Sequence, residues 1–194
     1  QLIVVSAVWA WLPSYLNRFH GLATDKAGLM TALVLVLGSV GIVLWGYVAD
    51  RVGDSSPQRK LMVPAACLVV AAVLLSVAFG AMQPGSLQFV AIAAGGFMMT
   101  AASGTVPAAA IDVIHPGLRA TGAAMVAVVQ NLFGLAAGPL ITGVLSDAFG
   151  LVTALSIMPL FCIASAAVLM MGTRVYPAEL NAARTLAAMT VQSD

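Results

Sequence analysis

The chain has 194 residues, of which 61% are hydrophobic and 8% charged, where soluble domains carry roughly a quarter charged residues. With a mean hydropathy of +1.04, the remaining polar groups cannot build a water-facing surface around a core of this size. Eight basic and seven acidic residues leave a net charge of +1, which excludes a basic face for nucleic acid and an acidic tail.

Apolar runs bounded by Gly, Pro and charge predict an all-α membrane protein with six transmembrane helices, at about 1–17, 27–50, 61–82, 87–112, 120–146 and 151–173. Residues 1–175 form one transmembrane bundle and 176–194 a polar tail, either a short interfacial helix opened by Pro177 or a frayed end. The first run reaches Leu16, short of the roughly 20 residues a spanning helix needs. It opens on Gln1, not Met, so the chain reads as part of a longer one that starts inside a helix. It has neither the basic start nor the cleavage site of a signal peptide. Trp11 and Tyr15 are four residues apart on one helix face; they line a cavity or pack as core, and an aromatic belt explains Tyr15 equally well.

Helix two ends in Gly46-Tyr47-Val48-Ala49-Asp50-Arg51-Val52-Gly53. Gly46 would let the helix end approach a neighbour closely, and Gly53 would permit a tight turn. Asp50 can face the positive end of a helix dipole, and Arg51 can latch onto a carboxylate across an interface. The alternative is that both are interfacial charges that set topology. Cys67 in helix three and Cys162 in helix six lie in apolar runs and read as small buried hydrophobes, not as a disulfide framework. In helix four, Thr100 and Ser103 are candidates for a polar pathway lining, although hydroxyls readily bond their own helix backbone.

Arg119 opens helix five, preceded by Asp112, His115 and Pro116. A cation at a helix N-terminus opposes the dipole, so Arg119 is expected to have an acidic partner, and Asp112 is near enough to be it. Gln130 and Asn131 are the most polar pair at membrane depth. Amides there must be bonded, so they contact substrate or join helices. Next, Gly134-x-x-x-Gly138 makes a flat groove for another helix, and Pro139 removes a backbone bond and can hinge the helix.

Six of the eight Lys and Arg residues (Arg51, Arg59, Lys60, Arg119, Arg174 and Arg184) fall in connections two and four and the tail. Arg18 and Lys26 hold the other side. This asymmetry predicts a cytoplasmic C-terminus. Gly46-x-x-x-Asp50-x-x-Gly53 is echoed 97 positions later by Gly143-x-x-x-Asp147-x-x-Gly150, which predicts two inverted three-helix repeats.

With Gly46, Asp50, Arg51 and Gly53 in place, the chain resembles the C-terminal six-helix half of a major facilitator superfamily transporter. That family carries Gly-x-x-x-Asp-Arg-x-Gly between the second and third helix of each half. The basic pair that usually follows is displaced here to Arg59 and Lys60. Pro116-Gly117-Leu118-Arg119-Ala120 resembles the family's Pro-x-x-Arg entry into a fifth helix. Trp11-Leu12-Pro13-Ser14-Tyr15-Leu16 and Asn131-Leu132-Phe133-Gly134 with Gly138-Pro139 resemble the bacterial spinster-like branch, and anion–cation symporters share the first pattern.

The resemblance implies a secondary active transporter in the inner membrane. Its partners would be the bilayer, an N-terminal six-helix half, a small organic or amphipathic solute and a coupling proton. Gly46, Asp50, Arg51, Gly53 and Arg119 would form a conformational latch. Asn131, Gln130, Trp11, Tyr15, Thr100 and Ser103 are the substrate-binding candidates, and Gly134, Gly138 and Pro139 the packing and hinge residues. No Asp, Glu, Lys or Arg sits mid-helix, so a coupling carboxylate would belong to the other half. A wall of this kind suits an amphipathic solute better than a sugar acid. No motif calls for a metal or cofactor, and neither His-Glu-x-x-His nor Gly-x-Ser-x-Gly occurs, so an intramembrane enzyme is not expected. The alternative is a complete six-helix protein acting as a homodimer or structural subunit.

Overall fold

The structure, a computed structural model, describes residues 1–191. Among these the regular structure is all helical, in the order α1 (Leu2–Phe19), α2 (Thr24–Ser55), α3 (Pro57–Gly80), α4 (Ser86–Met99), α5 (Ala101–Asp112), α6 (Arg119–Val129), α7 (Ala137–Phe149), α8 (Leu151–Ile157) and α9 (Leu160–Val191). Among the described residues five stretches are long and apolar enough to cross a bilayer: Thr24–Ser55, Pro57–Gly80, Ser86–Asp112, Arg119–Phe149 and Leu151–Ala183. α1, with 18 residues, measures about 27 Å at 1.5 Å per residue, a little under the ~30 Å hydrocarbon core. Residues 192–194 of the expected tail lie outside the described residues.

Several helix ends depart from expectation, each with a local cause. α2 runs through the signature motif to Ser55, leaving Ser56 as the sole link to α3; Ser56 is extended (φ −162°, ψ 116°) and Pro57 occupies the first turn of α3, where its missing N–H costs nothing. Gly53 is therefore helical and not part of a turn. Helix five is interrupted by a π-helical segment, Gln130–Leu135, in which the Ala136 N–H reaches back five residues to the Asn131 carbonyl at 3.0 Å. Such a segment re-registers the backbone just ahead of Pro139, which cannot donate to the ladder. Helix six breaks at Pro159 and then runs on through Pro177 to Val191, so the tail continues that helix and does not begin a new one at Pro177.

α3 is the central helix, packed against α2, α4, α5, α8 and α9. Most of the largest fully buried side chains are apolar: Leu12 and Leu16 from α1, Leu68, Leu75 and Phe79 from α3, Ile92 and Met99 from α4, and Leu155 and Met158 from the α8 region. α1 lies between α2 and α7. Where α1 crosses helix five, the expected glycine groove receives it: a Cβ on Gly134 would come within 2.7 Å of the Leu2 Cβ, and one on Gly138 would overlap Ser6 and the Ile3 carbonyl. The Ser6 hydroxyl donates to the Gly134 carbonyl at 3.3 Å.

Candidate functional site

Two polar regions stand out, one at each end of the bundle, with a groove between them. At the turn α3–α4, Gln88 is fully buried. Its Nε2 donates to the Ala78 carbonyl and the Tyr15 hydroxyl, both at 2.7 Å. Donation to a carbonyl fixes the amide orientation, so Gln88 Oε1 is the acceptor at 2.7 Å from His20 Nε2, which must carry its proton. Tyr15 stacks edge-on against Phe79, with centroids 5.0 Å apart. The candidate Tyr15 is thus held in a network joining α1, α3 and α4.

Gln130 lines a groove of about 340 Å³ at membrane depth, together with Gln1, Ala102, Phe133, Gly134 and Ser165. Gln1 Nε2 donates to Ser103 Oγ at 3.0 Å and to the Met99 carbonyl at 2.6 Å, which places Ser103 beside this groove. The other substrate candidates have other occupations. Thr100 is buried, bonded to its own helix at the Phe97 carbonyl (3.0 Å), and stands against Gly41 of α2. Trp11 donates to the Pro139 carbonyl at 3.1 Å. Asn131 is exposed and donates to the Ala127 carbonyl of its own helix at 2.7 Å.

At the opposite end, Lys60 Nζ lies 3.2 Å from Asp50 Oδ1 and 2.8 Å from Asp112 Oδ2. The lysine side chain is 15% exposed, against 65% for Asp50 and 41% for Asp112. Tyr176 donates to the same Asp112 oxygen at 3.2 Å. Gly53 supports this arrangement: a Cβ there would come within 3.0 Å of the Lys60 Cβ, so the missing side chain makes room for the lysine stem. Asp112 therefore pairs with Lys60, not with Arg119, whose Nε reaches the Ile114 carbonyl at 3.4 Å. Arg51 folds along its own helix, bonding the Tyr47 hydroxyl at 3.1 Å with its guanidinium 5.7 Å from the ring centroid. A Cβ on Gly46 would meet nothing within 4 Å. The echo positions are built differently: Gly143 packs on Trp11, and Gly150 adopts φ +84° at the α7–α8 turn.

Sequence reasoning missed Gln88, Lys60 and Tyr176 as site residues. The late basic pair Arg59-Lys60 was the signal for Lys60, since one helical turn of α3 carries it back beneath Asp50. For Gln88 the signal was a lone amide at the start of an apolar run.

Comparison with known proteins gives the context. The chain is 34% identical over 152 residues to the gallate transporter of Pseudomonas putida, covering 77% of this chain and 32% of that protein. It is 40% identical over 53 residues to a D-galactonate transporter of Escherichia coli, covering 26% of this chain and 12% of that protein. Its fold matches the crystal structure of a bacterial homolog of the human lysosomal transporter Spinster, inward-facing and unoccupied, with a TM-score of 0.74, 16% identity, and coverage of 92% of this chain and 48% of that one. The chain thus spans about a third of the length of the gallate transporter and about half of that of the Spinster homolog. The model of the Major Facilitator Superfamily matches residues 1–190, and the chain belongs to that superfamily of multi-pass membrane transporters.

Proposed function

We propose that the chain is one six-helix half of a secondary transporter for small organic acids. It would work by alternating access, rocking against a second six-helix half that docks on α2 and helix five. The observation that carries this reading is the exposed amide of Asn131 at membrane depth. Facing lipid it would be costly; facing a second half or a water-filled pathway it would not. α2 offers a second exposed face, with Leu29, Leu33, Val36, Val40, Val43 and Tyr47 at alternating spacings of four and three residues, the pattern of a helix seam. α6 has no buried residue, and Gly46 stands open beside this stripe. In this reading Arg51 and Arg119 are free to reach carboxylates of the other half, the C-terminus is cytoplasmic, and the two three-helix units are inverted repeats. A coupling proton would use a carboxylate outside this chain.

The substrate class is narrowed by the relatives. Gallate and galactonate, which two of them carry by name, are both carboxylates, and this favours an organic acid over the amphipathic solute. Gln130 and Ser103 would contribute neutral hydrogen bonds to it from the groove.

Uptake of labelled gallate and D-galactonate into vesicles holding the full-length protein tests this. Saturable uptake of at least one carboxylate is expected, and Gln130→Leu should raise its KM about tenfold, the value of one lost hydrogen bond at the upper end of the usual range. Uptake of no carboxylate would end the substrate assignment. Single cysteines introduced at Gly53 and Gly85 should label from opposite sides of the membrane; labelling from the same side would overturn the topology.

A further inference from the structure

We propose that the tail of α9 is a strap on the signature turn: Tyr176, through Asp112 and Lys60, holds Asp50, so that freeing either end loosens the other. What the strap does during turnover rests on the two-half transporter reading; the linkage itself does not.

The observations are independent of one another. α9 runs past residue 173 through Pro177 without a break, although a proline inside a helix removes a bond and is unfavourable. Packing holds it there: Tyr176 and Leu180, one turn apart on one face, are 8% and 7% exposed. Beside them Asp112 Oδ2 accepts from both the Tyr176 hydroxyl and Lys60 Nζ, and Lys60 also reaches Asp50. The ammonium of Lys60, at the start of α3, thereby joins the ends of α2 and α5, and the Asp112 carboxylate carries the link on to the tail of α9. These residues and Leu180 surround a pocket of about 280 Å³. One ammonium holds both carboxylates, so a displacement of Nζ caused at one carboxylate changes its distance to the other. Coupling of this kind is reciprocal.

The test uses the full-length protein in permeabilised membranes, with Leu180→Cys as reporter and maleimide labelling rate as readout. Cys67 and Cys162 are buried at 6% and 0% exposure, and the labelling of the protein without Leu180→Cys is subtracted for them. Lys60→Ala should raise the labelling rate at position 180 about tenfold, as loss of charge-assisted bonds predicts. Tyr176→Phe, which removes a hydroxyl and keeps the ring, should raise it about threefold. Asp50→Asn, at the far end and more exposed, should raise it about twofold. Arg51→Gln, beside Asp50 but bonded to Tyr47, should leave it unchanged. Equal rates in the parent and Lys60→Ala would overturn the strap, and so would an Arg51→Gln effect as large as that of Asp50→Asn, since general loosening of the turn would then suffice. If the labelling pattern holds while the unsubstituted protein transports nothing, the strap stands and the transporter reading falls.

Discussion

Gly138→Ala should destabilise the protein by about 2–3 kcal/mol, whereas Gly46→Ala should leave the fold unchanged or gain up to about 1 kcal/mol. The two glycines are both helical and both receive the same methyl group, so intrinsic propensity favours alanine at each by the same amount. What differs is the neighbour. At Gly138 the new Cβ overlaps the Ile3 carbonyl and the Ser6 hydroxyl and lies 3.0 Å from the Ala7 nitrogen. Two of these three are backbone atoms of a helix, which cannot rotate aside, so α1 must move away from helix five and the Ser6 bond to Gly134 is lost. At Gly46 no atom lies within 4 Å. Thermal unfolding in detergent would show a drop of about 5–10 °C for Gly138→Ala by the usual scaling for a chain of this size. Unfolding at the parent temperature would mean that α1 does not lie in the glycine groove. If, as proposed, a second six-helix half packs on α2, Gly46→Ala has a further readout: transport by the full-length protein falls although the helix itself gains stability.

The glycine pair shows which parts of the fold the sequence carries legibly. Spacing of four within an apolar run announces a surface on which a backbone can lie, so Gly134 and Gly138 were legible as a groove. That the occupant is Ile3 to Ala7 was not, because nothing in residues 1–8 marks them as a ridge more than other apolar residues do. Helix ends followed the same division. Charge and glycine at 50–54 suggested a loop, but a lone helical glycine and two aspartates do not stop a helix whose next residues are anchored; the stop is Pro57, one residue after the extended Ser56. Pro139 announced an irregularity, and the structure resolves it as a π segment N-terminal to the proline, a form that spacing alone does not distinguish from a kink. Of the residues that line the groove, Gln130 could be singled out from the sequence, because an amide within an apolar run needs a reason. Asn131 beside it points elsewhere, since neighbours in a helix sit about 100° apart. Lys60 and Tyr176 meet at Asp112 from 52 and 64 residues away along the chain, and no local pattern encodes such a meeting.

Gln88→Leu should cost about 2–4 kcal/mol, a further large effect. The loss comes mainly from buried polar groups left without a partner, with a smaller part from the branched side chain. The Ala78 carbonyl lies in the last turn of α3, where the Met82 N–H has already turned to Val77 at 3.1 Å and intrahelical donors run out. Gln88 Nε2 supplies a donor to Ala78, and sits 3.4 Å from the Met82 carbonyl as well; it serves as a C-terminal cap delivered from the next helix. The leucine variant also strands the Tyr15 hydroxyl, 2% exposed, and the His20 Nε2 proton. Tyr15→Phe loses a single acceptor and should cost about 1 kcal/mol. If the amide acts as the hub, Tyr15→Phe added to Gln88→Leu should cost nothing further and even recover part of the loss, because the hydroxyl has no partner left to lose. Thermal unfolding of the two single variants and the double decides between a hub and a set of separate bonds: additive losses would make the contacts independent. A Gln88→Leu variant as stable as the parent would show that α3 finds its capping elsewhere.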